Sequence, residues 1–369
     1  MNEPAPFPRE ELERLGLYDP DAGDGPARLE LIRYVMALGA TVEQVAAASN
    51  LGELALDVNL RPRSSLTIGE VVEPLHIEWP TATRLLTALG MATDRDEPVT
   101  TEEAEAIRLF VASMELLGEE AAVQLARVTG SAMAKVAETL VGGFRLQVEI
   151  PRLESGVRYI DVVKEYSDIT HSLLPMFVRS LDALLRQQIL AVAKRMWSTD
   201  EEHSTVTLWR TVGFVDLVGY TEVTGTLSAR DLAAVLIDFD GRTARAVRHG
   251  NGQVVKMIGD EAMFVTENPG DACQIALDLV ATFDENRTSP VRIGLATGGM
   301  VSVFGDLYGP DVNLAARLVT VAEPNTVVVS QRTRDGSAGF LFEALPSRPL
   351  KGFPDSITPY RLVSSHGAT

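Results

Sequence analysis

Two acids in this chain follow apolar runs and stand where strands should end. In Phe214-Val215-Asp216-Leu217-Val218-Gly219-Tyr220-Thr221 an aspartate closes one run. In Lys256-Met257-Ile258-Gly259-Asp260-Glu261-Ala262-Met263-Phe264 a glycine and two adjacent acids separate two more. The second stretch predicts a β-hairpin whose tight turn carries Asp260 to the end of a sheet. Taken alone, an acid at a hairpin tip is most often a solvated turn residue. Two strands that each end in an aspartate can also bring two carboxylates around one divalent cation, which prefers oxygen ligands.

Positioning those acids takes a sheet, and the second half of the chain predicts one. A strand over 206–215 leads to a helix over 227–247, for which Ser228 is a plausible cap. The hairpin follows, then a helix over 270–283, a strand over 291–296, a helix over 311–321 and a strand over 326–329. This βαββαβ order is that of a ferredoxin-like core with additions, and it sets Asp216 and Asp260 at the same end of neighbouring central strands. The predicted class is α+β, with an all-α domain over 1–171, a connecting helix and linker over 172–204, and the ferredoxin-like domain over 205–364.

The first part reads as helices. Residues 1–26 are rich in Pro, Gly and Asp and predict an irregular arm. A helix then runs to Gly39, and Thr41 caps a second. Residues 67–75 form a short helix, Trp79-Pro80 a turn, and 81–89 another helix ended by Gly90. That is the outline of a helix-turn-helix, resembling the first two helices of winged or MerR-like DNA-binding domains. Its second helix offers one cation, Arg84, and the first 200 residues hold 31 acids against 19 Lys and Arg. A recognition helix needs a basic field, so a helical packing module is the better reading. Gly118 divides two helices, and Gly142-Gly143 ends the next. Leu173, Phe177, Leu181, Leu184, Leu185, Ile189, Val192 and Met196 then fit one amphipathic helix over 172–197, about 37 Å long, with Pro175 in its first turn. It is either a last core helix or a rod that also packs on a partner chain.

Composition bounds the rest. A chain of 369 residues predicts two domains, and 46% hydrophobic with 23% charged residues is normal for a globular protein. A net charge of −18 argues against non-specific binding to nucleic acid or anionic membranes. The single cysteine, Cys273, excludes an intrachain disulfide framework and fits a reducing cytosol. There is no signal-like start and no run of about 18 apolar residues, so a cytoplasmic protein without a membrane span is expected.

Three stretches together carry a family resemblance. Phe214-x-Asp216-x-x-Gly219-Tyr220-Thr221 and Lys256-x-Ile258-Gly259-Asp260-Glu261 resemble the first two motifs of class III nucleotidyl cyclases. Gly305-Asp306 through Asn313-x-x-x-Arg317 resembles their Asn-x-x-x-Arg helix, and Leu350-Lys351-Gly352-Phe353 is similar to their last hairpin. The layout resembles soluble mycobacterial-type adenylyl cyclases with a helical regulatory domain before one catalytic domain. The resemblance implies ATP as substrate and cyclic AMP and pyrophosphate as products. It implies that Asp216 and Asp260 hold two Mg²⁺ or Mn²⁺ ions. Phe214, Gly219 and Thr221 belong to the phosphate-cradling stretch, and Lys351 is a further phosphate contact. Lys256 and Asp306 read the adenine edge, Asn313 orients the ribose, and Arg317 meets charge building on the α-phosphate.

In that family the metal aspartates come from one subunit and the Lys, Asp, Asn and Arg from the other. All six stand in this one chain, which implies a head-to-tail homodimer with two equivalent sites; the acidic charge leaves no nucleic-acid partner expected. The related cyclases also suggest inhibition by the helical domain, relieved at acid pH, with His203 in the linker as one titrating candidate. The rival readings are a DNA-binding regulator with a nucleotide-sensing domain and an inactive cyclase-like scaffold.

Overall fold

The computed structural model describes residues 9–61, 66–197, 207–220, 227–285, 290–303 and 305–365. The chain divides into two compact units, Met1–Asp200 and Glu201–Thr369.

The first unit is helical. Helices α1 (Arg9–Arg14), α2 (Gly25–Ala37), α3 (Val42–Ala47) and α4 (Leu51–Leu60) surround one core, which Leu12, Ile32, Val35, Val45 and Ala55 fill. Thr41 and Gln44 form a reciprocal capping box at the start of α3. The expected irregular arm is in part α1, because Leu12 is fully buried and its burial drives the turn into a helix. A second core gathers α5 (Ile68–Val72), α6 (Trp79–Leu89), α7 (Thr101–Leu117) and α8 (Glu119–Phe144). Trp79-Pro80 is the first turn of α6 rather than a turn before it, since proline's fixed φ suits that position. Arg84 donates to Glu119 at 2.7 Å and to Glu120 at 2.6 Å. The one cation of the supposed recognition helix is thus already paired with acids of its own unit.

Gly142 and Gly143 do not end a helix. Helix α8 runs through them into a π turn (Arg145–Glu149) and then α9 (Ile150–Glu154). Two glycines cost about 2 kcal/mol of propensity relative to alanine. Against that, Phe144 packs edge-on against Tyr166 at 4.4 Å between ring centroids. The last helix, α10 (Tyr159–Trp197), begins thirteen residues before the expected start at Ser172 and holds Pro175 in its interior. Its first turns are nucleated by burial of Ile160, Val162 and Val163, and Arg158 ties them to Glu30 and Asp161. Residue 172 is therefore not an element boundary. Among the described residues no helix is long and apolar enough to cross a membrane.

The second unit is a mixed sheet with helices on both faces. In chain order come β3 (Thr207–Leu217), α11 (Ala229–His249), β4 (Gln253–Ile258), β5 (Glu261–Thr266), α12 (Pro269–Glu285), β6 (Val291–Val303), β7 (Asp306–Tyr308), α13 (Pro310–Val321), β8 (Thr326–Val329), α14 (Gln331–Gly336), β9 (Phe340–Ala344) and β10 (Tyr360–Ser365). Strands β1 (Leu66–Thr67) and β2 (Pro98–Val99) form a separate small ladder in the first unit. The main sheet runs β4-β5-β3-β6-β8-β10-β9, with β7 paired to β6. Its first four strands have the ferredoxin-like order expected from the sequence. Phe239, Ile275, Leu279 and Phe283 fill one face beneath α11 and α12. Val312, Ala315 and Val319 of α13 cover the other, against Val212, Phe214 and Met263.

Two strands are longer than predicted. Strand β3 continues to Leu217, so Asp216 stands inside the ladder rather than after it. Strand β6 continues past Ala296 to Val303, and its glycines are places of close approach: Gly298 faces Asp311 and the Gly299 carbonyl faces Gly309.

Candidate active site

The β4–β5 hairpin closes on Gly259 and Asp260. Gly259 has φ of +64°, the value that a glycine at the first central position of a type II′ hairpin supplies without strain. The Leu217 N–H donates to the Asp260 carbonyl at 3.1 Å, which ties this turn to the end of β3. Asp216 lies directly opposite Glu261 on one side and Arg292 on the other. In-register neighbours project from the same face, so Glu261, Asp216 and Arg292 form one row across three strands. It is the face that carries α13, since Gly294, two residues along β6 from Arg292, lies against the helix backbone.

The row has a strong electrostatic character. Asp216 is buried, and its Oδ2 accepts from Arg292 Nε at 2.5 Å. Burial pushes the Asp216 carboxyl above its ordinary pKa; Arg292 pulls it down, and the charge of Asp260 pushes it up again. Glu261 is raised for the same reasons, first by burial and then by Asp216 and Asp260. Three carboxylates thus act on one another with one guanidinium among them. An all-oxygen donor set with excess negative charge suits a hard divalent cation such as Mg²⁺ or Mn²⁺. Among the described residues no three acids are already arranged around an ion position.

A second pair forms nearby in the chain's order. Lys256 Nζ donates to Asp306 Oδ2 at 2.5 Å, both side chains being partly exposed. Burial works against the Asp306 carboxylate, but Lys256, the Leu307 N–H and the Tyr308 hydroxyl hold its pKa below the usual range. The long separation in sequence is closed by β7, which folds back antiparallel on β6.

Asn313 and Arg317 stand one helical turn apart on α13, and both are exposed. Among the described residues neither side chain has a hydrogen bond or ion pair with the rest of the chain. The helix is fixed underneath by Val312, Ala315, Leu318 and Val319, all buried.

Residues 200–364 match the family of adenylate and guanylate cyclase catalytic domains. An adenylate cyclase of Streptomyces coelicolor is 33% identical over 268 residues, covering 70% of this chain and 69% of that protein. The chain belongs to the class III cyclases. An adenylate cyclase of Glutamicibacter nicotianae is 29% identical over 81% of this chain and 79% of its own. A protein of Mycobacterium tuberculosis named as a pH-sensitive adenylate cyclase is 25% identical over 93% and 89%. Each of these alignments is longer than the cyclase unit and therefore runs into the helical unit as well.

The remaining expected positions of the cyclase unit differ in kind. Phe214 is 6% exposed and packs with Met263 and Ala296 beneath α13, so its side chain is part of the core. Gly219 lies in the turn after β3 with φ of +78°, and Thr221 lies outside the described residues, as does His203 of the linker. Lys351 is exposed in the long connection between β9 and β10, where neighbouring Leu350 packs against Leu318 of α13. Sequence reasoning missed Arg292 and gave Glu261 no role. The signal for Arg292 was present: it is the one charge in the otherwise apolar stretch Val291-Arg292-Ile293-Gly294-Leu295-Ala296. A lone cation inside a buried strand needs an acid, and Asp216 is that acid.

Proposed function

We propose that this protein is an adenylyl cyclase that converts ATP to 3′,5′-cyclic AMP and pyrophosphate at a site shared by two copies of the chain. The observation that carries the choice of base is the Lys256–Asp306 pair. At the Watson–Crick edge of adenine a ring nitrogen accepts and the exocyclic amine donates. An ammonium beside a carboxylate matches that order, and guanine presents the reverse. With Mn²⁺, cyclic AMP formation from ATP is expected to exceed cyclic GMP formation from GTP by at least about 10²-fold in kcat/KM, the discrimination of two mispaired polar groups. Equal turnover of GTP would overturn the base assignment.

In the reaction the ribose 3′-oxygen attacks the α-phosphorus, loses its proton, and displaces pyrophosphate. Asp216 and Asp260 would hold divalent metal, which supplies a more acidic 3′-hydroxyl and charge neutralisation on the phosphates. Arg292, the in-register neighbour and ion-pair partner of Asp216, would offer its guanidinium to a phosphate oxygen. Lys351 and the backbone around Gly219 and Thr221 are the further phosphate contacts. Asn313 orients the ribose and Arg317 faces the α-phosphate oxygens.

The two-copy reading is supported by the exposed Asn313–Arg317 face, whose side chains have no partner among the described residues. It is supported also by α10, where Leu173, Met176, Leu184, Leu185, Ile189 and Leu190 are all more than half exposed. A helix with that much bare apolar surface is stabilised by a partner.

The helical unit acts as an inhibitor in this reading, relieved by acid. The similarity to a cyclase named as pH-sensitive runs through most of both chains, which is its support. Removing residues 1–200 should raise activity at neutral pH and flatten the pH profile between about pH 5 and 8, where histidines titrate. A truncated enzyme with the full-length pH profile would remove the helical unit from pH control.

A further inference from the structure

Helix α13 lies directly on β6, at glycines. A Cβ on Gly294 would come within 2.4 Å of the Ala315 carbonyl oxygen and 2.5 Å of the Val319 nitrogen. A Cβ on Gly298 would come within 1.9 Å of Asp311 Oδ2 and 2.3 Å of its Cγ. The two glycines are four residues apart on one face of the strand, about 13 Å. They hold the helix at both ends, by backbone at one and by a single carboxylate at the other.

That carboxylate is unusual for its position. Acids favour the first turn of a helix because of its dipole, and they usually face solvent there, as Glu102 does in α7. The Asp311 side chain is only 15% exposed and faces the strand. Arg332 of α14 stands 3.6 Å away. Helix α14 is itself fixed to β6, through Thr333 Oγ1 and Thr297 Oγ1 at 2.9 Å. Asn313 and Arg317 follow Asp311 by two and six residues, which turns them to the opposite side of the helix.

We propose that Asp311 is a positioning residue for the cyclisation: seated in the space that Gly298 leaves, it fixes the start of α13 and with it the places of Asn313 and Arg317. This rests on the reading that α13 presents those two side chains to the substrate.

The test uses the full-length enzyme. Gly298→Ala pushes a methyl into the seat, and kcat should fall about 10²-fold, as a displacement of about 1 Å at a catalytic group does. KM for ATP should stay within about twofold, because the lost contacts are made in the transition state. Asp311→Ala should lower kcat about 10-fold. Combined in one chain, the two substitutions should lose no more than Asp311→Ala alone, since the obstruction is gone. Losses that multiply, or an Asp311→Ala enzyme with wild-type kcat, would overturn the proposal. Mixing separates displacement from misfolding. Gly298→Ala chains should regain activity with Asp216→Ala chains and not with Arg317→Ala chains; rescue by neither marks a misfolded chain and overturns it too. The mixture of Asp216→Ala with Arg317→Ala is the control. If that control fails, the shared-site reading fails, and the single-chain comparison still decides on Asp311.

Discussion

Replacing Asp216 by alanine should abolish cyclic AMP formation, with a loss of at least about 10³-fold. A carboxylate is kept inside β3, in the ladder between β5 and β6, at the expense of its own ionisation. Val212 and Phe214 on the same face of β3 are apolar core residues, so the acid there serves Arg292 and, in the proposed reading, metal. Removing the side chain takes away one of two carboxylates that would hold the ions, and Arg292 loses its ion pair at the same time. The Arg292 side chain is 38% exposed, so the freed guanidinium is solvated and the fold should survive. The check is activity across a Mn²⁺ titration alongside a melting curve. A folded Asp216→Ala enzyme with near-normal kcat would show that the acid row has another purpose.

Replacing Arg317 by alanine should lower kcat about 10²- to 10³-fold and leave KM for ATP nearly unchanged. Arg317 is exposed, and no side-chain bond holds it among the described residues, so its removal should not alter stability within the chain. In the shared-site reading its use is outside the chain that carries it. A guanidinium that meets charge only as the pentavalent phosphorus forms contributes to kcat and not to substrate binding. A variant with raised KM and unchanged kcat would instead make Arg317 an ordinary phosphate-binding cation.

The catalytic fold was legible because its signals are local. Alternating apolar runs, a helix cap at Ser228 and a glycine before Asp260 each report on a few neighbouring residues, and their order suffices for a ferredoxin-like core. What could not be read depends on contacts far apart in the chain. The strand expected to end at Ala296 runs on to Val303, and its fit to α13 shows only when Asp311 is seen to occupy the space above Gly298. Gly142-Gly143 looks like a helix end until Phe144 is seen on Tyr166. Pro175 looks like a first-turn residue because nothing nearby says that α10 started at Tyr159. The site divides in the same way. Asp216 and Asp260 are legible as acids after apolar runs, whereas Asn313 and Arg317 are singled out by the family resemblance. Arg292 is seen beside Asp216 only when β6 is laid against β3, and the ring of Phe214 is seen in the core only when α13 covers that face.

The central claim is that one chain carries both halves of a site it cannot complete alone. The most direct test is to mix purified Asp216→Ala and Arg317→Ala chains, each inactive by itself, and assay cyclic AMP with Mn²⁺ and ATP. The mixed dimer contains one site with both substitutions and one with neither. If the two chains exchange freely, half the molecules are mixed, and activity should return to about a quarter of wild type. Two inactive enzymes that stay inactive after exchange, with mixed dimers demonstrated by differential tagging, would contradict the account.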